Sequence, residues 1–409
     1  MPDFDLIVIG GGAAGFFAAI TCTEVNPNAK VLILEKSNKV LAKVKISGGG
    51  RCNVTHACFE PRELIKHYPR GSRQLLGPFH HWSPTETINW YETRGVKLKT
   101  EADNRIFPIS DDSQTIIDCL LNTARKQKIQ IQTKEEVLDV SKNRDDHFIL
   151  SLLGGNQIST KHLLIATGGI RSRAGGDFAQ GFGHTLQPAA PSLFTFKIKD
   201  PRIEALQGIS VPNAKIQVGK SFHSEGPVLI THWGLSGPAI LRLSAWGARE
   251  LQEENYQFQA KVNWCGGTNL DGVKQHFQQL RNDSPKRTIH QDTQFDLPAR
   301  LWKQLAETAG IPKEDRWPHL SKEKTRTFSE NLALCTFQVN GKSMNKEEFV
   351  TCGGITLKEV NFKTMESRCS PNLYFAGEVL DIDGITGGFN FQAAWTTGRI
   401  VGESVAANL

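Results

Sequence analysis

Leu6-Ile7-Val8-Ile9-Gly10-Gly11-Gly12-Ala13-Ala14-Gly15 is the stretch of sequence that decides the fold. A short apolar strand leads into the pattern Gly-x-Gly-x-x-Gly, and a helix of small residues follows. Glu35 comes twenty residues after Gly15, at the end of a second apolar run, where its carboxylate can accept hydrogen bonds from a ribose diol. Strand, glycines, helix and acid in this order indicate a dinucleotide-binding unit rather than a structural glycine turn.

Each part of the pattern has an expected role at a bound pyrophosphate. Gly10 permits a tight turn, Gly12 lets the backbone approach the ligand, and Gly15 lets the helix pack on the strand. Ala13 and Ala14 stand at the helix N-terminus, where free N–H groups and the positive end of the helix dipole favour phosphate. We therefore expect a nucleotide with its phosphates at this helix.

The composition is that of a globular protein. The chain has 409 residues, enough for two or three domains, and is 39% hydrophobic and 22% charged. Its net charge of +6 is modest, and no run of basic residues marks a nucleic-acid-binding arm. The sequence therefore favours a small-molecule substrate over nucleic acid, although a basic patch formed in three dimensions stays open. It gives no indication of an oligomeric state.

The cysteines and the start of the chain indicate where in the cell the protein is expected. Eight scattered cysteines contain no CxxC pair and no Cys/His zinc spacing, so neither a metal site nor a disulfide framework is expected. The nucleotide strand begins the sequence and leaves no room for a signal peptide, and its apolar run is too short for a membrane span. These observations predict a cytoplasmic protein without a membrane partner.

Changes in pattern along the chain predict an α/β fold with an insertion. Short apolar strands alternate with helices over 1–190, which indicates a parallel sheet. Over 191–350 short alternating stretches indicate antiparallel strands, and a polar helical segment covers 271–331. The α/β pattern returns over 351–409. We therefore expect a Rossmann-type nucleotide-binding domain interrupted by a β-rich domain with a small helical part.

A second glycine cluster, Ser47-Gly48-Gly49-Gly50-Arg51-Cys52-Asn53, follows the second strand closely. Glycines bring backbone close to a flat or anionic ligand, Arg51 can pair with a phosphate or carboxylate, and Ser47 and Asn53 can hydrogen-bond a ring edge. Cys52 has no partner cysteine nearby and is interpreted as an inert thiol. The ligand contacts predicted in this cluster are Ser47, Gly48, Gly49, Arg51, Cys52 and Asn53.

Two further segments end buried strands with small residues. Ala166-Thr167-Gly168 closes one strand, and Gly377-Glu378 closes another with a carboxylate at its carboxyl end. The segment 381–395 is typical of a Gly-rich turn and a helix beginning near Asn390, whose N-terminus can stabilise negative charge on a reduced ring. The ligand contacts predicted here are Ala166, Thr167, Gly168, Gly377, Glu378, Gly388, Phe389, Asn390 and Phe391.

The insertion contains a distinctive string, Thr231-His232-Trp233-Gly234-Leu235-Ser236-Gly237-Pro238, which predicts a shaped loop before a helix over 239–249. His232 can gain or lose a proton near neutral pH, which makes it a candidate proton donor. A hydrogen-bonded structural histidine explains the pattern equally well, and both interpretations stay open.

These motifs together resemble the BaiN-like family of bacterial FAD-binding proteins, also called YhiN-type or aminoacetone oxidase family NAD(P)/FAD-dependent oxidoreductases. The second glycine cluster and the string 231–238 are more specific than the glycine pattern. The resemblance implies a Rossmann-type FAD-binding domain interrupted by a β-barrel domain with a small helical insert. After Gly169 the chain departs from the family pattern, because Arg171-Ser172-Arg173 stands where a Thr/Ser-rich run is usual.

The resemblance implies FAD as the cofactor and roles for particular residues. The pyrophosphate would face Gly12, Ala14 and Gly15, with Glu35 at the adenosine ribose. The second glycine cluster would line the flavin side, and the C-terminal turn would hold the ribityl chain and the pyrimidine end. Three further contacts are implied: Lys36 at the ribose, Lys43 on the flavin side and Val137 at the adenine.

We expect an FAD-dependent oxidoreductase that transfers hydride or electrons to or from a small organic substrate, with NAD(P)H as an optional transient donor. The substrate is expected between the flavin and the β-rich domain, with His232 as a candidate proton donor. Two other classes stay open: an FAD-containing RNA-modifying or RNA-binding protein, and a flavin redox sensor.

Overall fold

The apolar run at the start of the chain forms the central strand of a parallel sheet, β1 (Phe4–Ile9). The computed structural model describes residues 2–170, 174–343 and 350–409. Internal contacts divide the chain into a first unit, 1–190 together with 346–409, and a second unit, 191–345.

The first unit alternates strands and helices. Its strands up to residue 192 continue with β2 (Val31–Glu35), β3 (Thr55–His56), β4 (Leu98–Thr100), β5 (Arg105–Pro108), β6 (Gln130–Thr133), β7 (Val137–Lys142), β8 (Phe148–Leu152), β9 (Gln157–Ile165) and β10 (Leu186–Ser192). Its helices there are α1 (Ala13–Val25), α2 (Ala42–Gly50), α3 (Pro61–Leu64), α4 (Ser72–His81), α5 (Pro84–Glu92), α6 (Gln114–Lys126) and α7 (Ala174–Gly181).

The second unit is built from antiparallel strands and helices. Its strands are β11 (Thr195–Lys197), β12 (Ser210–Val218), β13 (Phe222–Thr231), β14 (Gly234–Ser236), β15 (Gln257–Asn263), β16 (Cys335–Asn340) and β17 (Lys342–Ser343). Its helices are α8 (Pro238–Trp246), α9 (Ala248–Glu253), α10 (Leu270–Asp283), α11 (Ala299–Thr308) and α12 (Lys322–Ala333).

The chain then returns to the first unit. The returning elements are β18 (Val350–Ile355), β19 (Val360–Asn361), β20 (Glu366–Ser367), β21 (Leu373–Phe375) and α13 (Phe389–Ala406). The main sheet has the order β19-β20-β21-β9-β1-β2-β6, and β21, β9, β1, β2 and β6 run parallel. The C-terminal segment therefore completes the sheet that the N-terminal segment began.

Strand β1 is apolar throughout its second half because neighbours cover both of its edges and both of its faces. Ile7 pairs with Leu163 of β9 on one side and with Leu32 of β2 on the other, and all three side chains are fully buried. Continuous apolar runs of this kind are typical of parallel strands buried on both faces. The strand thus fixes where the glycine turn after it must lie, at the carboxyl edge of the sheet.

Helices α1 and α13 pack closely on one another through small residues. A Cβ added at Gly398 would lie 2.5 Å from the carbonyl oxygen of Ala14, and one added at Gly402 would lie 2.5 Å from that of Ala18. Only glycine permits such a close approach of two helices, so the C-terminal helix is fixed against the nucleotide helix. Within the described residues, every helix is too short or too polar to serve as a membrane span.

The seven strands of the second unit form one antiparallel sheet in the order β16-β15-β12-β13-β14-β11-β17. Strand β16 pairs with β15 and runs through Gly341 directly into β17, which pairs with β11. The two ends of the sheet are therefore one continuous piece of chain, and the sheet closes on itself as a barrel. Alternating burial along β15 places Phe258, Ala260 and Val262 in its interior.

The predicted fold class is confirmed: an α/β Rossmann-type domain is interrupted by a β-barrel with helices. Two predicted elements are wrong in detail. The helix expected over 239–249 is two helices, α8 and α9, separated at Gly247. The strand expected to close at Gly377 and Glu378 ends at Phe375, and a short 3-10 turn follows over Gly377–Val379.

A histidine buried in the main sheet gives the first testable prediction. His162 of β9 is fully buried, and neither ring nitrogen has a hydrogen-bond partner among the described residues. Burial lowers the pKa of His162 from 6.5 to about 4. The unfolded chain therefore takes up a proton as the pH falls through 6.5, while the folded chain does so only near 4. The shift corresponds to roughly 3 kcal/mol of stability that is present above pH 6.5 and lost by about pH 4.

We expect His162→Leu to flatten the pH dependence of the free energy of unfolding between pH 6.5 and 4, because an apolar side chain binds no proton in either state. Urea denaturation at about pH 7 and about pH 4.5 measures this. His80→Leu, at an exposed position, is the matched control. Equal losses of stability on acidification in the wild type and in His162→Leu would contradict the prediction.

Candidate cofactor site

Gly10 and Gly15 are required by the close packing of the nucleotide turn. Gly10 has a φ of +113°, and a Cβ there would lie 2.4 Å from the carbonyl oxygen of Ala166, at the end of β9. A Cβ at Gly15 would lie 2.2 Å from the carbonyl oxygen of Gly10. These two glycines, and the backbone of Ala166, therefore shape the turn and do not themselves leave room for a ligand.

Gly12 differs from its neighbours because it faces open space. Among the described residues no atom lies within 4 Å of a Cβ built there, and its φ of −94° suits any residue. Helix α1 starts at Ala13, and no described side chain caps its N-terminus or places an acid in its first turn. The N–H groups at Ala13 and Ala14 thus face a space suited to an anion.

Glu35 ends strand β2 and lies beside the nucleotide turn. Its carboxylate accepts hydrogen bonds from the N–H of Gly11 at 3.0 Å and from the N–H of Ser37 at 2.9 Å. Two backbone donors therefore hold the carboxylate in place next to the turn. Lys36 beside it is exposed.

Val137 lies near the same end of β2. The N–H of Glu135 donates to the carbonyl oxygen of Glu35 at 3.1 Å, and Val137 starts strand β7 two residues later. The Val137 side chain is buried. The structure therefore brings Val137 close to the predicted ribose-binding carboxylate, although 102 residues separate them in the sequence.

The second glycine cluster forms a loop of left-handed backbone at the end of α2. Gly48, Gly49 and Gly50 have φ values of +59°, +69° and +85°, which favour glycine. A Cβ at Gly48 would lie 2.9 Å from the Phe107 ring, whereas no described atom lies within 4 Å of one at Gly49 or Gly50. Gly49 and Gly50 therefore present bare backbone to open space. The Ser47 hydroxyl donates to the carbonyl oxygen of Val44 at 3.0 Å.

Cys52 has no accessible thiol. Its side chain is fully buried, its φ is +61°, and burial raises the pKa of the thiol to about 12. The thiolate is the reactive form, so the interpretation of Cys52 as inert agrees with its surroundings.

Arg51 is engaged by carboxylates of its own chain. Its guanidinium lies 2.6 Å from Glu101 and 3.4 Å from Asp111, and it stacks over the Phe107 ring at 4.0 Å. The hydrogen bond to Glu101 raises the pKa of Arg51. The arginine therefore fixes the glycine loop to β4 and β5, and its predicted contact with a ligand stays a prediction.

Lys43 and Glu378 meet although 335 residues separate them. They form an ion pair, and the Glu378 carboxylate also accepts the N–H of Thr351 at 2.8 Å. Gly168 lies beside them, with its Cβ position 4.0 Å from the Lys43 nitrogen. Thr167 follows Ala166 and contacts the Cβ position of Gly175 through its hydroxyl. Three predicted contacts, Lys43, Gly168 and Glu378, are thus brought together.

The C-terminal glycine turn is tied to the second glycine cluster. The Asn53 amide oxygen accepts the N–H of Gly388 at 2.9 Å, and its nitrogen donates to the carbonyl oxygen of Thr55 at 2.9 Å. Gly388 has a φ of +94° and precedes the first residue of α13. The Asn390 amide accepts from and donates to the backbone of Gly384. Asn53 and Asn390 therefore hold the shape of the turn with their own side chains.

Phe389 and Phe391 pack into the protein. The Phe389 ring stacks on His56 and His67 at 4.6 and 4.3 Å between ring centres, and its carbonyl oxygen accepts the Tyr68 hydroxyl at 2.6 Å. Phe391 stacks on Trp395. Gly377 lies against helix α1, with its Cβ position 3.0 Å from the Cβ atom of Ala14.

His232 lies in the second unit, in the exposed two-residue turn between β13 and β14. Its ring lies 4.7 Å from that of Trp233, whose side chain is about half exposed. Its role as a proton donor stays a prediction. The departure from the family pattern at 171–173 lies outside the described residues.

Sequence reasoning missed an ion pair that anchors the C-terminal turn. Arg70 binds the carboxylate of Asp383 through two guanidinium nitrogens, and Asp383 is fully buried. Neither residue stands in a motif that indicates the other, and 313 residues separate them.

A second missed cluster lies near the edge of the main sheet. His184, Glu359 and Cys369 bring ligand-type atoms within 4.8 Å of one another. His184 also bonds Ser367 at 2.6 Å, and the Glu359 carboxylate accepts from the backbone and hydroxyl of Thr185. These bonds give the cluster a structural role in joining the loop after α7 to the sheet edge.

The open space before α1, the Glu35 carboxylate at the end of β2 and the exposed backbone of the second glycine cluster are together typical of a Rossmann-type dinucleotide-binding domain. A family model described as the HI0933-like protein Rossmann domain matches residues 4–404. The chain therefore belongs to this family, which confirms the resemblance found in the sequence.

Named relatives cover almost the whole chain. The ribosomal RNA dihydrouridine synthase of Escherichia coli K12 is 30% identical over 97% of this chain and 96% of its own length. A protein of the same name from Haemophilus influenzae is 30% identical over 96% of both chains. The 3-dehydro-bile acid delta(4,6)-reductase of Clostridium scindens is 28% identical over 98% of both.

Solved structures share the fold at low identity. The 3-ketosteroid-Δ4-(5α)-dehydrogenase of Rhodococcus jostii RHA1 superposes with a TM-score of 0.52 at 14% identity, over 99% of this chain and 98% of that one. The 3-ketosteroid Δ1-dehydrogenase of Sterolibacterium denitrificans gives a TM-score of 0.52 at 12% identity, over 99% and 100%.

Proposed function

We propose that this chain is an FAD-dependent reductase that adds two electrons and two protons across a C=C bond conjugated to a carbonyl group. The names of its relatives support this class, because dihydrouridine synthase and the bile acid reductase both denote saturation of such a bond. Bound FAD, once reduced by an electron donor, would supply the hydride for chemistry of this kind. The protein supplies binding, orientation and charge.

The observation that best supports FAD binding is the open space in front of the N-terminus of α1. A Cβ at Gly12, Gly49 or Gly50 would meet no described atom within 4 Å, although their neighbours are tightly packed. Uncapped N–H groups at such a helix favour a pyrophosphate, and Glu35 is suited to a ribose diol. The residues present therefore fit FAD.

We propose uridine in RNA as the substrate. Two relatives from different bacteria carry the same dihydrouridine synthase name and match this chain over both units at 30% identity. This reverses the preference drawn from composition, which placed a small molecule ahead of nucleic acid. The eight scattered cysteines, with no CxxC pair among them, are typical of a protein of the reducing cytoplasm, where RNA is available. We propose NAD(P)H as the electron donor.

A steroid-type enone is the second candidate. It is favoured by the bile acid reductase, which is 28% identical over 98% of this chain. The two substrates differ in charge, because RNA carries phosphates along its length and a steroid carries none. They therefore require different surfaces outside the reaction centre.

Nucleoside mass spectrometry tests the proposed function. The purified yellow protein is supplied with NADPH under anaerobic conditions and either unmodified ribosomal RNA transcript or a bile acid dienone. We expect dihydrouridine in the RNA digest. We also expect RNA to re-oxidise the reduced flavin, which restores the flavin absorbance. A Gly12→Val protein, prepared in the same way, is the control for contaminating enzymes. Flavin re-oxidation by the dienone with no dihydrouridine in the RNA would overturn the uridine proposal in favour of the steroid.

A further inference from the structure

An open cationic groove lies between α10 and α12 in the second unit. It holds about 310 Å³ and is lined by Lys274, Gln278, Arg281, Lys322, Thr325 and Arg326. Four of these six side chains are cations, the other two are neutral hydrogen-bonding groups, and none is a carboxylate. A surface of this composition attracts a polyanion.

The groove is formed by the outward faces of two packed helices. Lys274, Gln278 and Arg281 stand at i, i+4 and i+7 on α10, so they lie on one face of the helix. The adjoining face of α10 carries Val273 and Phe277, which are buried in the core of this unit. The cations therefore keep their places along a rigid support and are separated along each helix by roughly 6 to 10 Å.

The charges at the start of α12 oppose helix stability. Lys322, Lys324 and Arg326 stand in the first turn and a half, where the positive end of the helix dipole disfavours cations, and Glu323 is the acid in the first turn. Lys322 and Arg326 are also an i, i+4 pair of like charge, which is unfavourable. Lys324 is offset by Asp315 at 2.9 Å. Local conflicts of this kind are expected at functional sites.

The acids around the groove leave an excess of positive charge. Lys274 lies 3.5 Å from Asp271, which is 90% exposed and therefore a weakly held partner. Arg281 donates to the carbonyl oxygen of Leu320 at 2.5 Å, a neutral group that fixes the guanidinium without cancelling its charge. Glu323 is the acid next to Lys322, and it is exposed.

We propose that this groove binds the phosphate backbone of the RNA substrate, an inference that rests on the proposed function for its choice of polyanion. Lysine and arginine contact phosphates, and Gln278 and Thr325 can hydrogen-bond phosphate or 2′-hydroxyl oxygens. The exposed large hydrophobic residues of the described chain include none on α10 or at the start of α12, which disfavours a membrane surface. Contacts of this kind can hold the strand while its target base leaves the helical stack.

Charge-neutralising variants of the groove test the proposal. Lys322→Gln/Arg326→Gln removes two cations from exposed positions, and Lys303→Gln/Lys313→Gln removes two exposed cations elsewhere in the same unit. Affinity for a fluorescent ribosomal RNA fragment is measured by anisotropy at several salt concentrations on FAD-loaded protein. We expect the groove variant to lose about tenfold or more in affinity and to show a salt slope smaller by about 1 to 2, while the control keeps both.

The outcomes separate this proposal from the proposed function, because dihydrouridine formation and flavin content are measured on the same samples. Equal RNA affinity in the groove variant and the control would overturn the groove, even if dihydrouridine still forms. Selective loss of RNA affinity without any dihydrouridine in the wild type would support the groove and overturn the function. Binding of an acidic protein or of anionic vesicles but not of RNA would overturn the groove proposal.

Discussion

A Gly12→Val protein is expected to fold like the wild type and to purify without FAD. The φ of −94° and ψ of −171° at Gly12 are extended values that a β-branched residue readily adopts. No described atom lies within 4 Å of the new Cβ, so the added carbon has open space in front of it. The added methyl groups would instead occupy the space before α1 that we assign to the pyrophosphate.

We expect FAD affinity to fall at least about 100-fold, equal to roughly 2.7 kcal/mol, because a close backbone approach to the pyrophosphate is lost. Flavin absorbance per protein after reconstitution measures FAD binding. The thermal unfolding midpoint of the FAD-free protein measures whether the variant folds like the wild type. Gly154→Val is the matched control, because its Cβ also meets open space but lies in a turn between β8 and β9. Normal FAD content in a folded Gly12→Val protein would refute the assignment.

Gly15→Val gives an instructive contrast. A Cβ there would lie 2.2 Å from the carbonyl oxygen of Gly10, so the packing of α1 on β1 cannot persist unchanged. We expect poor folding rather than a folded protein without flavin. The sequence pattern assigns helix packing to Gly15 and approach to the ligand to Gly12. The contacts differ in the same sense, because only the Cβ position of Gly15 lies against backbone.

The parts of the fold that the sequence predicted well are those with local causes. Strand β1, the turn after it and Glu35 belong to a single βαβ unit, so their pattern is visible in one short stretch of sequence. The change of sequence pattern near residue 190 was visible for the same reason. Before it, short strands alternate with helices, and after it, apolar and polar residues alternate within short strands.

The parts that could not be predicted depend on pairs far apart in the sequence. Arg51 is a reasonable anion ligand by residue type, but the fold places it between Glu101 and Asp111. Asn53 meets Gly388 only because the C-terminal strand and helix return to the first sheet. Residue type indicates what a side chain can bind, whereas topology decides which partner reaches it first.

Arg70→Ala is expected to destabilise the protein by about 3 to 5 kcal/mol, the range measured when one partner of a buried ion pair is removed. Asp383 is fully buried and the Arg70 side chain is 12% exposed, so the lost guanidinium leaves a desolvated carboxylate. Denaturant unfolding of the FAD-free protein measures the effect. Lys66→Ala is the matched control, because Lys66 pairs with Glu63 on the surface and such exposed pairs contribute about 1 kcal/mol or less.

The same substitution should also weaken FAD binding, because Asp383 immediately precedes the turn that carries Gly384 and Gly388. Releasing the carboxylate from Arg70 removes one of the contacts that hold the start of that turn, while Asn390 still binds the backbone of Gly384. Arg70→Lys should restore only part of the stability, since lysine keeps the charge and loses the two-nitrogen geometry. If Arg70→Ala unfolds at the denaturant concentration of Lys66→Ala and binds FAD equally well, the ion pair neither stabilises the fold nor positions the turn.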